Sequence, residues 1–521
     1  MGSTTFAGHW PVYIALYLVS WLGCIIIRRR YFHPLSHVPG PFLMSISSLP
    51  VFYYQGIQEG QLMHILPKLH AKYGRVVRIS PNEVHLSDPE AYEKIHTVGT
   101  KFTKDPGLYT PMEGVMKTTT ILTIMSNEEH KVRRSALNPF FSRRSVLDLE
   151  QIIWDKTAQL TGMLQAGLDS RQQIFDMHHA IRAFSVDVIT EYAYARCWNQ
   201  LDMPDFGMSY QDAIRAIHWF FPYILTFPPA VPLFGLIPDW LNVMLFPPFK
   251  KWFDSLTTVR AAVTKVRKEI DMGVKPSRRT IFHDLMEPPP LNETDGKKFR
   301  QVLSDETVFA DAVNVTGAGA ETTGSTAARA IFEVLCNPAI YGRLTKELRD
   351  AFPNPDTMTL PALEQLPLLN GVIKEALRLN PGLPGAIPRV VPPSGATFNG
   401  IPLPPGTVVS MSAWILHHDP DAFANPEVFD PYRWMDQPEK VRARERCMIP
   451  FGRGSRNCLG QNLAMAELYA TVGSIFHRFD DLQVAPDFGR EDLALVGLFL
   501  GYHPRKARKF KIVRREQGYK I

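Results

Sequence analysis

The first feature of the hydrophobic pattern is an apolar run near the N-terminus. Residues 10–27 carry no charged side chain, and three arginines, residues 28–30, follow directly. As a helix the run would be about 27 Å long, enough to cross the hydrocarbon core of a bilayer. Because no Lys or Arg precedes it, the positive-inside rule predicts that residues 1–9 are lumenal and the rest of the chain is cytosolic. A cleaved signal peptide is the alternative, and the position of the basic cluster after the run disfavours it.

Beyond this run the apolar positions follow the periodicities of a globular chain. Residues 28–41 are basic and rich in proline, which stiffens the backbone, so they predict a hinge before a body at residues 42–521. Helical periodicity marks residues 128–194, 305–352 and 366–379, and strand and turn patterns mark residues 76–86 and 389–409. We therefore expect one large, mainly α domain with a small β region, preceded by an N-terminal transmembrane helix.

Two stretches of the body depart from ordinary patterning. Residues 218–249 are unusually apolar and aromatic, but six or more prolines prevent a continuous membrane span. They are either core or a surface that enters one face of the membrane. Residues 271–304 are polar and predict an exposed loop. Within it, residues 292–294 match a glycosylation sequon that should be unused on the cytosolic side.

Composition limits the class of the protein. The chain has 521 residues, 45% hydrophobic and 21% charged, which is typical of a globular protein. Five cysteines without a C-x-x-C pair argue against a disulfide framework and a four-cysteine zinc site, and fit a reducing compartment. The net charge of +6 comes without a dense basic stripe, so we expect no nucleic-acid partner. The basic excess suits an acidic protein or an anionic membrane surface.

The segment around Cys458 carries the clearest chemistry. It reads Phe451-Gly452-Arg453-Gly454-Ser455-Arg456-Asn457-Cys458-Leu459-Gly460. This pattern suits a thiolate bound to haem iron, because backbone N–H groups in such a turn can stabilise the charge of the sulfur. We expect Gly454 to allow a tight turn and Gly460 to let the next helix pack closely. Phe451 can cover the sulfur, and Arg456 is placed to reach a haem propionate. An ordinary buried cysteine is the alternative for a lone Cys, and the surrounding pattern argues against it.

The segment resembles the cysteine-ligand motif of the cytochrome P450 family, Phe-x-x-Gly-x-Arg-x-Cys-x-Gly, and matches every fixed position. Four further segments resemble family motifs in the family's order, so the resemblance extends from about residue 38 to the C-terminus. It implies a helical haem-thiolate domain in which Cys458 is the axial ligand of the iron of haem b. It also implies a monooxygenase that cleaves O2 with two electrons and two protons and inserts one oxygen atom into a lipophilic small molecule.

Three basic residues are implied to bind the haem propionates. His130 and Arg134 are four apart on a predicted helix and share a face. The family usually has Trp-x-x-x-Arg at this point, so Arg134 takes the propionate role by resemblance. Histidine replaces the tryptophan, and His130 can still donate a hydrogen bond. Arg389, in Pro388-Arg389-Val390, is the second propionate ligand by resemblance.

Residues 318–323, Ala-Gly-Ala-Glu-Thr-Thr, lie in a long predicted helix and resemble the oxygen-activation groove of the family. The small residues Ala318 and Gly319 would leave room for O2. Thr322 can hold a hydrogen bond and position water, and Glu321 can relay protons. A packing glycine beside solvent-facing polar residues is the alternative.

Glu375 and Arg378 are three apart on a predicted helix and resemble the Glu-x-x-Arg pair of the family. The usual third member matches Arg433, in Phe429-Asp430-Pro431-Tyr432-Arg433-Trp434. The resemblance implies a buried network of these three residues that supports the haem-loop region. Its expected role is structural and not catalytic.

The chain contains no Gly-x-Gly-x-x-Gly fingerprint for a flavin or nicotinamide, so its electrons must come from another protein. The resemblance implies an NADPH-dependent flavoprotein reductase in the same membrane, that of the endoplasmic reticulum. Arg444, Arg446 and Arg453 are candidate docking residues, and a solvated surface is an equal alternative.

The predictions of the family branch and of the substrate class depend on less specific sequence patterns. Residues 134–142 resemble fungal secondary-metabolism members of the trichodiene-oxygenase type, which suggests a terpenoid or polyketide. Residues 382–387 and 496–500 are expected to line an apolar pocket. Two alternatives remain open: a haem-thiolate isomerase or dehydratase that does not use O2, and a non-catalytic haem carrier.

Overall fold

The computed structural model describes residues 10–116, 118–170, 173–228, 236–274, 276, 278, 280–287 and 303–515. The predicted lumenal segment 1–9 and the sequon at residues 292–294 lie outside these ranges, as does most of the predicted polar loop. Within them the mainly α fold with small β regions is confirmed.

The N-terminal apolar run forms a helix, α1 (Trp10–Tyr31), that continues four residues beyond the predicted end and includes the three arginines. None of its residues is buried. In the described part of the chain it is the one helix that is long and apolar enough to cross a membrane.

Ten further α-helices precede residue 230. They are α2 (Phe42–Ile46), α3 (Leu49–Phe52), α4 (Leu62–Tyr73), α5 (Pro89–Ile95), α6 (Pro106–Met116), α7 (Asn127–Leu137), α8 (Arg143–Asp148), α9 (Glu150–Leu168), α10 (Met177–Tyr194) and α11 (Met208–Thr226). A π-helix at Tyr53–Ile57 and a 3-10 helix at Gln200–Asp202 join them. All counts here refer to the described residues.

The remaining described helices include the long central helix and the helix after the cysteine loop. They are α12 (Asp239–Leu245), α13 (Pro248–Asp271), α14 (Ile281–Met286), α15 (Asp305–Leu335), α16 (Pro338–Ala351), α17 (Leu360–Leu363), α18 (Pro367–Leu379), α19 (Ala413–His417), α20 (Pro438–Cys447) and α21 (Gln461–Arg478). Single 3-10 turns occur at Pro355–Thr357, Pro431–Met435, Gly454–Arg456 and Arg490–Leu493.

The strands are short and form small sheets. They are β1 (Val76–Ser80), β2 (Glu83–Leu86), β3 (Thr103–Lys104), β4 (Ile174–Asp176), β5 (Arg389–Val390), β6 (Ala396–Phe398), β7 (Ile401–Leu403), β8 (Val408–Ser410), β9 (Leu482–Val484), β10 (Val496–Gly497), β11 (Gly501–Tyr502) and β12 (Lys511–Arg514). The largest sheet has the order β1-β2-β8-β5-β3, with β2 and β8 parallel. It brings Lys104 on β3 directly opposite Arg389 on β5.

The central helix α15 starts at a capped end and runs through the main core. The Ser304 hydroxyl accepts the backbone N–H of Thr307, and Asp305 and Glu306 in the first turn favour the positive end of the helix dipole. The helix packs along α10 and also contacts α18 and α21. Most of its residues are buried, and the exposed position in the middle of the helix, Ala318, marks a cleft within the domain.

The predicted hinge packs against the body. Leu35 is fully buried and Val38 nearly so, in one cluster with the large sheet. The buried guanidinium of Arg78 on β1 donates to the carbonyls of Leu35 and Arg29 at 3.3 and 3.1 Å. Because Arg29 lies in the last turn of α1, these bonds tie the end of that helix to the body.

Candidate functional site

The cysteine loop contains two left-handed glycines. Gly452 and Gly454 have φ angles of 64° and 74°. A Cβ on Gly454 would lie 1.9 Å from the carbonyl oxygen of His96, so no other residue fits this turn. The backbone N–H of Cys458 donates to the carbonyl of Phe451 at 2.7 Å and closes the loop. The predicted tight turn at Gly454 is confirmed.

A Cβ at Gly460 would meet no protein heavy atom within 4 Å. The predicted role of Gly460 in close packing stays a prediction. The backbone amide of Gly460 lies beside the sulfur of Cys458 and acts to lower the pKa of its thiol. The contribution of Gly460 to the site therefore comes from its backbone.

Solvent reaches the side chain of Cys458, although protein surrounds it at longer range. The thiol therefore faces an internal cleft. Burial raises the pKa of the Cys458 thiol, and the Gly460 amide and the nearby Arg134 act in the opposite direction. An accessible sulfur with a backbone donor is the arrangement that a thiolate metal ligand needs, since the ligand binds deprotonated.

Buried positive charge collects beside this cleft. The guanidinium of Arg389 is buried and donates to the carbonyl of Pro388, and Lys104 lies opposite it in the sheet. Burial, with Arg456 and Arg389 nearby, lowers the pKa of Lys104 to about 6. Burial and Arg389 lower the pKa of Arg456 to about 10. Among the described residues none of these three cations forms an ion pair with a carboxylate, so the cluster is suited to an anionic ligand.

His130 and Arg134 extend this cluster from α7. His130 is buried, and burial together with Arg456, Lys104 and Arg134 lowers its pKa to about 3, so the imidazole is neutral. Arg134 donates to the carbonyl and to the side-chain oxygen of Asn457 at 2.6 and 2.7 Å. It therefore fixes the residue that precedes Cys458. The predicted propionate contacts of both residues stay predictions.

The groove predicted on α15 is open at Ala318. Ala318 is exposed and Thr322 is partly exposed, although the helix around them is buried. The hydroxyl of Thr322 donates to the carbonyl of Ala318 at 2.9 Å. A Cβ on Gly319 would lie 3.1 Å from Ile189 on α10, so glycine there lets two helices approach each other. The predicted role of Gly319 in leaving room for O2 stays a prediction.

The carboxylate of Glu321 points away from this groove. It is buried and accepts from the guanidinium of Arg182 on α10 at 2.9–3.1 Å. The two residues belong to a polar chamber whose lining also includes His178, Arg215, Tyr502 and His503. Burial, together with the arginines, lowers the pKa of His503 to about 3, so this histidine is neutral. Glu321 and Thr322 are adjacent in sequence, but the structure directs them into different surroundings.

Glu375, Arg378 and Arg433 form a fully or nearly fully buried cluster. Glu375 accepts from Arg378 at 2.7 and 3.0 Å and from Arg433 at 3.0 Å. The indole N–H of Trp434 donates to the same carboxylate at 2.9 Å. Every oxygen of Glu375 is thus paired, which offsets the cost of burying the charge.

A histidine that the sequence did not single out connects this network to the cysteine loop. The backbone N–H of Ile449 donates to Nε2 of His417 at 2.9 Å, so Nδ1 carries the proton and donates to the carbonyl of Arg378 at 3.0 Å. Burial lowers the pKa of His417 to about 3, which keeps this tautomer neutral. In the sequence His417 is one of two consecutive histidines. This pattern gives no indication of its role.

The profile of the Cytochrome P450 family matches residues 39–492. The chain is 32% identical to the cytochrome P450 monooxygenase MO6277 of Ascocoryne sarcoides, with 90% of this chain and 94% of the relative covered. It is 31% identical to the tryptophan 6-hydroxylase fscE of Fusarium equiseti, with 90% of each covered. It is 31% identical to the cytochrome P450 monooxygenase TRI4 of Trichoderma arundinaceum, with 88% and 86% covered.

The chain belongs to the cytochrome P450 family. It is a monooxygenase by the activity of that family, and its relatives are fungal enzymes of secondary metabolism, as the sequence motifs predicted. The family implies a haem-thiolate cofactor and O2. The residues of this P450 fit haem: Cys458 offers an accessible sulfur for the iron, and the basic side chains of Lys104, Arg389 and Arg456, which pair with no carboxylate among the described residues, are suited to the propionates.

The apolar stretches predicted to line the pocket of this P450 meet in one cluster. Val496, Leu498 and Leu500 pack with Trp219 of α11, and Leu383 contacts the same group. The ring of Phe499 lies 6.0 Å from that of Phe221, between centroids. Both predicted segments and α11 thus form a common apolar wall.

The described part of residues 218–249 serves partly as core and partly as surface. Trp219 and Phe221 are buried, whereas Trp240 and Met244 on α12 are 68% and 65% exposed. Phe227, at the end of α11, is also exposed, and its ring packs edge-on against Phe52 at 5.4 Å between centroids. Through this contact the apolar surface continues from Phe227 to Phe52, in the N-terminal segment after α1. Residues 229–235 lie outside the described ranges.

The three arginines predicted for partner docking are engaged within the chain. Arg446 and Arg453 both pair with Glu93 of α5, at 3.2 and 3.3 Å, and Arg444 pairs with Asp436 at 3.1 Å. Arg446 remains half exposed, so its charge is only partly available to a partner.

Proposed function

We propose that this cytochrome P450 binds haem b through Cys458 and inserts one atom of O2 into a lipophilic small molecule, by hydroxylation or epoxidation. The single observation that carries this proposal is the accessible Cys458 sulfur in a loop closed by left-handed glycines. The proposed substrate is a terpenoid or polyketide of secondary metabolism. One relative is named as a tryptophan hydroxylase, so an aromatic substrate is the first alternative to test.

The proposed haem site uses groups from four elements of the chain. Cys458 would ligate the iron, with the Gly460 amide stabilising the sulfur and Phe451 covering it. The propionates would be held by Arg389 and Arg456, with Lys104, Arg134 and His130 as further donors. When bound, the haem supplies the redox chemistry that activates O2.

Protons would reach the cleft through Glu321 and Thr322. The polar chamber surrounds Glu321 with hydrogen-bonding side chains, and the Thr322 hydroxyl lies on the open groove beside Ala318. Because Glu321 is held by Arg182, proton transfer toward Thr322 requires the carboxylate to leave that ion pair. The two residues act one after the other. Glu321 takes up the proton first, and the Thr322 hydroxyl then holds a hydrogen bond at the cleft.

The proposed electron donor is an NADPH-dependent flavoprotein reductase, and the proposed location is the membrane of the endoplasmic reticulum. In this arrangement residues 10–27 span the membrane once, the N-terminus is lumenal, and the catalytic domain, residues 42–521, is cytosolic. The charge asymmetry around α1 supports this orientation. The exposed apolar side chains of α12 support a second contact with the membrane, beside the access route for a lipophilic substrate.

The first test is a difference spectrum of the dithionite-reduced protein with carbon monoxide, measured beside C458A. A red-shifted Soret band that the substitution abolishes is expected for thiolate ligation. A band typical of histidine ligation, or none in the folded parent, would contradict the proposal. Reconstitution with a reductase and NADPH then separates a monooxygenase from an isomerase or a haem carrier, because the monooxygenase alone consumes O2 with a bound substrate.

A further inference from the structure

Gly382, in the segment that follows α18, lies directly against the side chain of Thr322 on α15. A Cβ on Gly382 would be 2.9 Å from both Cβ and Cγ2 of Thr322, closer than two carbon atoms normally approach. Gly382 does not have a left-handed φ, so its backbone conformation alone would permit a side chain. The close approach to Thr322 therefore explains the glycine, and the backbone conformation does not.

The contact involves the methyl group of Thr322 and not its hydroxyl. The three protein atoms nearest to the added Cβ are Cβ, Cγ2 and, at 3.8 Å, Cα of Thr322, so Oγ1 lies farther away. The hydroxyl donates to the carbonyl of Ala318 at 2.9 Å, on the open groove. A threonine in a helix divides between two χ1 rotamers. The backbone of Gly382 therefore favours the rotamer that points the methyl group toward it and leaves the hydroxyl on the groove.

The segment that carries Gly382 is fixed to α15. The carbonyl of Asn380 accepts the hydroxyl of Thr326 at 3.2 Å, and the Asn380 amide donates to the hydroxyl of Ser325 at 3.2 Å. All three residues are buried. These bonds set the distance between the segment and the turn of α15 that follows Thr322.

The same segment is also held by β11. The backbone N–H of Gly501 donates to the carbonyl of Gly382 at 2.9 Å. A Cβ on Gly501 would lie 3.2 Å from the carbonyl oxygen of Pro381 and 3.2 Å from Cδ of Pro384, so the strand packs closely against the segment. The backbone at Gly382 therefore cannot withdraw from Thr322 without losing contacts to α15 or to β11.

We propose that Gly382 is a positioning residue for Thr322, and that its contact with the Thr322 methyl group keeps the hydroxyl on the open groove. This inference rests on the proposed function, in which that hydroxyl holds the hydrogen bond at the cleft. Gly382 does not touch the reacting atoms; it acts through the χ1 rotamer of Thr322. A side chain at position 382 would displace the methyl group and, with it, the hydroxyl.

Two substitutions test the contact. Gly382→Ala places a methyl group against Thr322, and overpacking of this kind forces side chains away from their rotamers. Thr322→Ser removes Cγ2, one of the two atoms that the new methyl group would meet, and keeps the hydroxyl. The two substitutions together should therefore restore part of what Gly382→Ala loses.

Gly473 on α21 provides a matched control. It is buried, and a Cβ there would lie 3.1 Å from Cδ2 of Leu363 on α17. The three protein atoms nearest to that position belong to Leu363 and Leu369, so the crowding does not involve Thr322. Gly473→Ala therefore overpacks the core at a place that does not touch the groove.

The first measurement is the thermal unfolding midpoint of the full-length protein in a double-mutant cycle. We expect Gly382→Ala to lower the midpoint, and the drop to be at least halved in the Thr322→Ser background. Gly473→Ala should lower the midpoint equally in both backgrounds. An equal drop for Gly382→Ala in both backgrounds would overturn the inference. If Gly382→Ala alone does not fold, a folded double variant supports the contact, and an unfolded one contradicts it.

The second measurement is the infrared C–O stretching frequency of the reduced full-length protein with carbon monoxide, which responds to hydrogen-bond donors beside the ligand. Thr322→Ala, which lacks the hydroxyl, provides the reference shift. We expect Gly382→Ala to shift the frequency in the same direction, the double variant with Thr322→Ser to lie closer to the parent, and Gly473→Ala to keep the parent frequency.

The outcomes separate this inference from the proposed function. The parent frequency in Gly382→Ala would overturn the positioning role, even where the unfolding midpoints show a contact. A parent without a thiolate spectrum would overturn the proposed function and the role of the hydroxyl with it, whereas the midpoints alone would still decide whether Gly382 restrains Thr322.

Discussion

Glu321 and Thr322 are consecutive residues whose polar atoms lie on different sides of α15. Glu321 is paired with Arg182 of α10, whereas the Thr322 hydroxyl donates to the carbonyl of Ala318 on the accessible groove. Successive positions on a helix differ by about 100° in direction, which separates the two groups. The structure therefore divides proton handling between a closed polar chamber and an open cleft.

Substitutions of Glu321 and of Thr322 should affect different steps, namely NADPH oxidation and the release of hydrogen peroxide. In reductase-coupled assays we expect Thr322→Ala to keep NADPH oxidation and release more hydrogen peroxide, because the hydrogen bond at the cleft is lost. We expect Glu321→Gln to slow NADPH oxidation itself by about 10²-fold, the lower range for a positioned proton donor or acceptor. The measurement is NADPH and peroxide stoichiometry for each variant. Identical stoichiometries for the two variants would show that the groups act as one unit.

Gly454 of the cysteine loop should not tolerate a side chain, in contrast to Gly342 on α16. A Cβ at Gly454 would collide with the His96 carbonyl and the residue has a φ of 74°, whereas a Cβ at Gly342 meets nothing within 4 Å. We expect Gly454→Ala to lose haem and Gly342→Ala to retain it. For Gly454→Ala the left-handed conformation alone costs about 1–2 kcal/mol, and the steric overlap adds to this. Haem content per folded protein measures the effect, and equal content in the two variants would contradict the assigned loop geometry.

The buried network should contribute to stability, not to chemistry. We expect Glu375→Ala to lower the free energy of unfolding by about 3–5 kcal/mol, because it leaves Arg378 and Arg433 as buried unpaired charges. The control is Glu364→Ala, which breaks the ion pair with the half-exposed Arg143 and should cost about 0–1 kcal/mol. Denaturant unfolding of the two variants gives the comparison. A Glu375→Ala protein as stable as Glu364→Ala would argue against a structural role.

Lys104 should give the haem-free protein a specific pH dependence. Burial and neighbouring arginines lower its pKa from 10.5 to about 6, so between these values the unfolded chain binds more protons than the folded chain. Stability of the haem-free protein should therefore rise as pH increases from about 6 toward 10. Lys104→Met should flatten this rise, and haem propionates should also reduce it by favouring the charged amine. Unfolding curves across this pH range, for the parent and the variant, provide the test; parallel curves would exclude the effect.

The sequence predicted those parts of the site that depend on local pattern. The turn at Gly454 and the contact of Glu375 with Arg378 follow from spacing within one loop or helix, and the structure contains both. The sequence pattern could not show which segment approaches Gly319 or Gly460, because the surroundings of a glycine are a tertiary property.

The missed residues share a different cause. Lys104, Asp311 and His417 act on segments 18, 190 and 32 residues away in the chain. The hydrophobic periodicity of a chain does not predict such long-range contacts. Lys, Asp and His are also common in strands and helices, so these residues did not stand out. Asp311 in particular resembles an ordinary acidic residue of a long helix until the fold brings Ile121 to it.

The bonds of Arg78 to Leu35 and to Arg29 have a mechanical consequence for the proposed membrane protein. A flexible tether would let the body tumble and sample all orientations above the bilayer. With the end of α1 fixed to β1, the body keeps one inclination, and its main remaining rigid motion is spinning about the axis of the anchor. A membrane-bound electron donor then meets the body in a restricted set of orientations, which differ only by rotation about the anchor axis. A larger fraction of its encounters therefore brings it to the same face of the body.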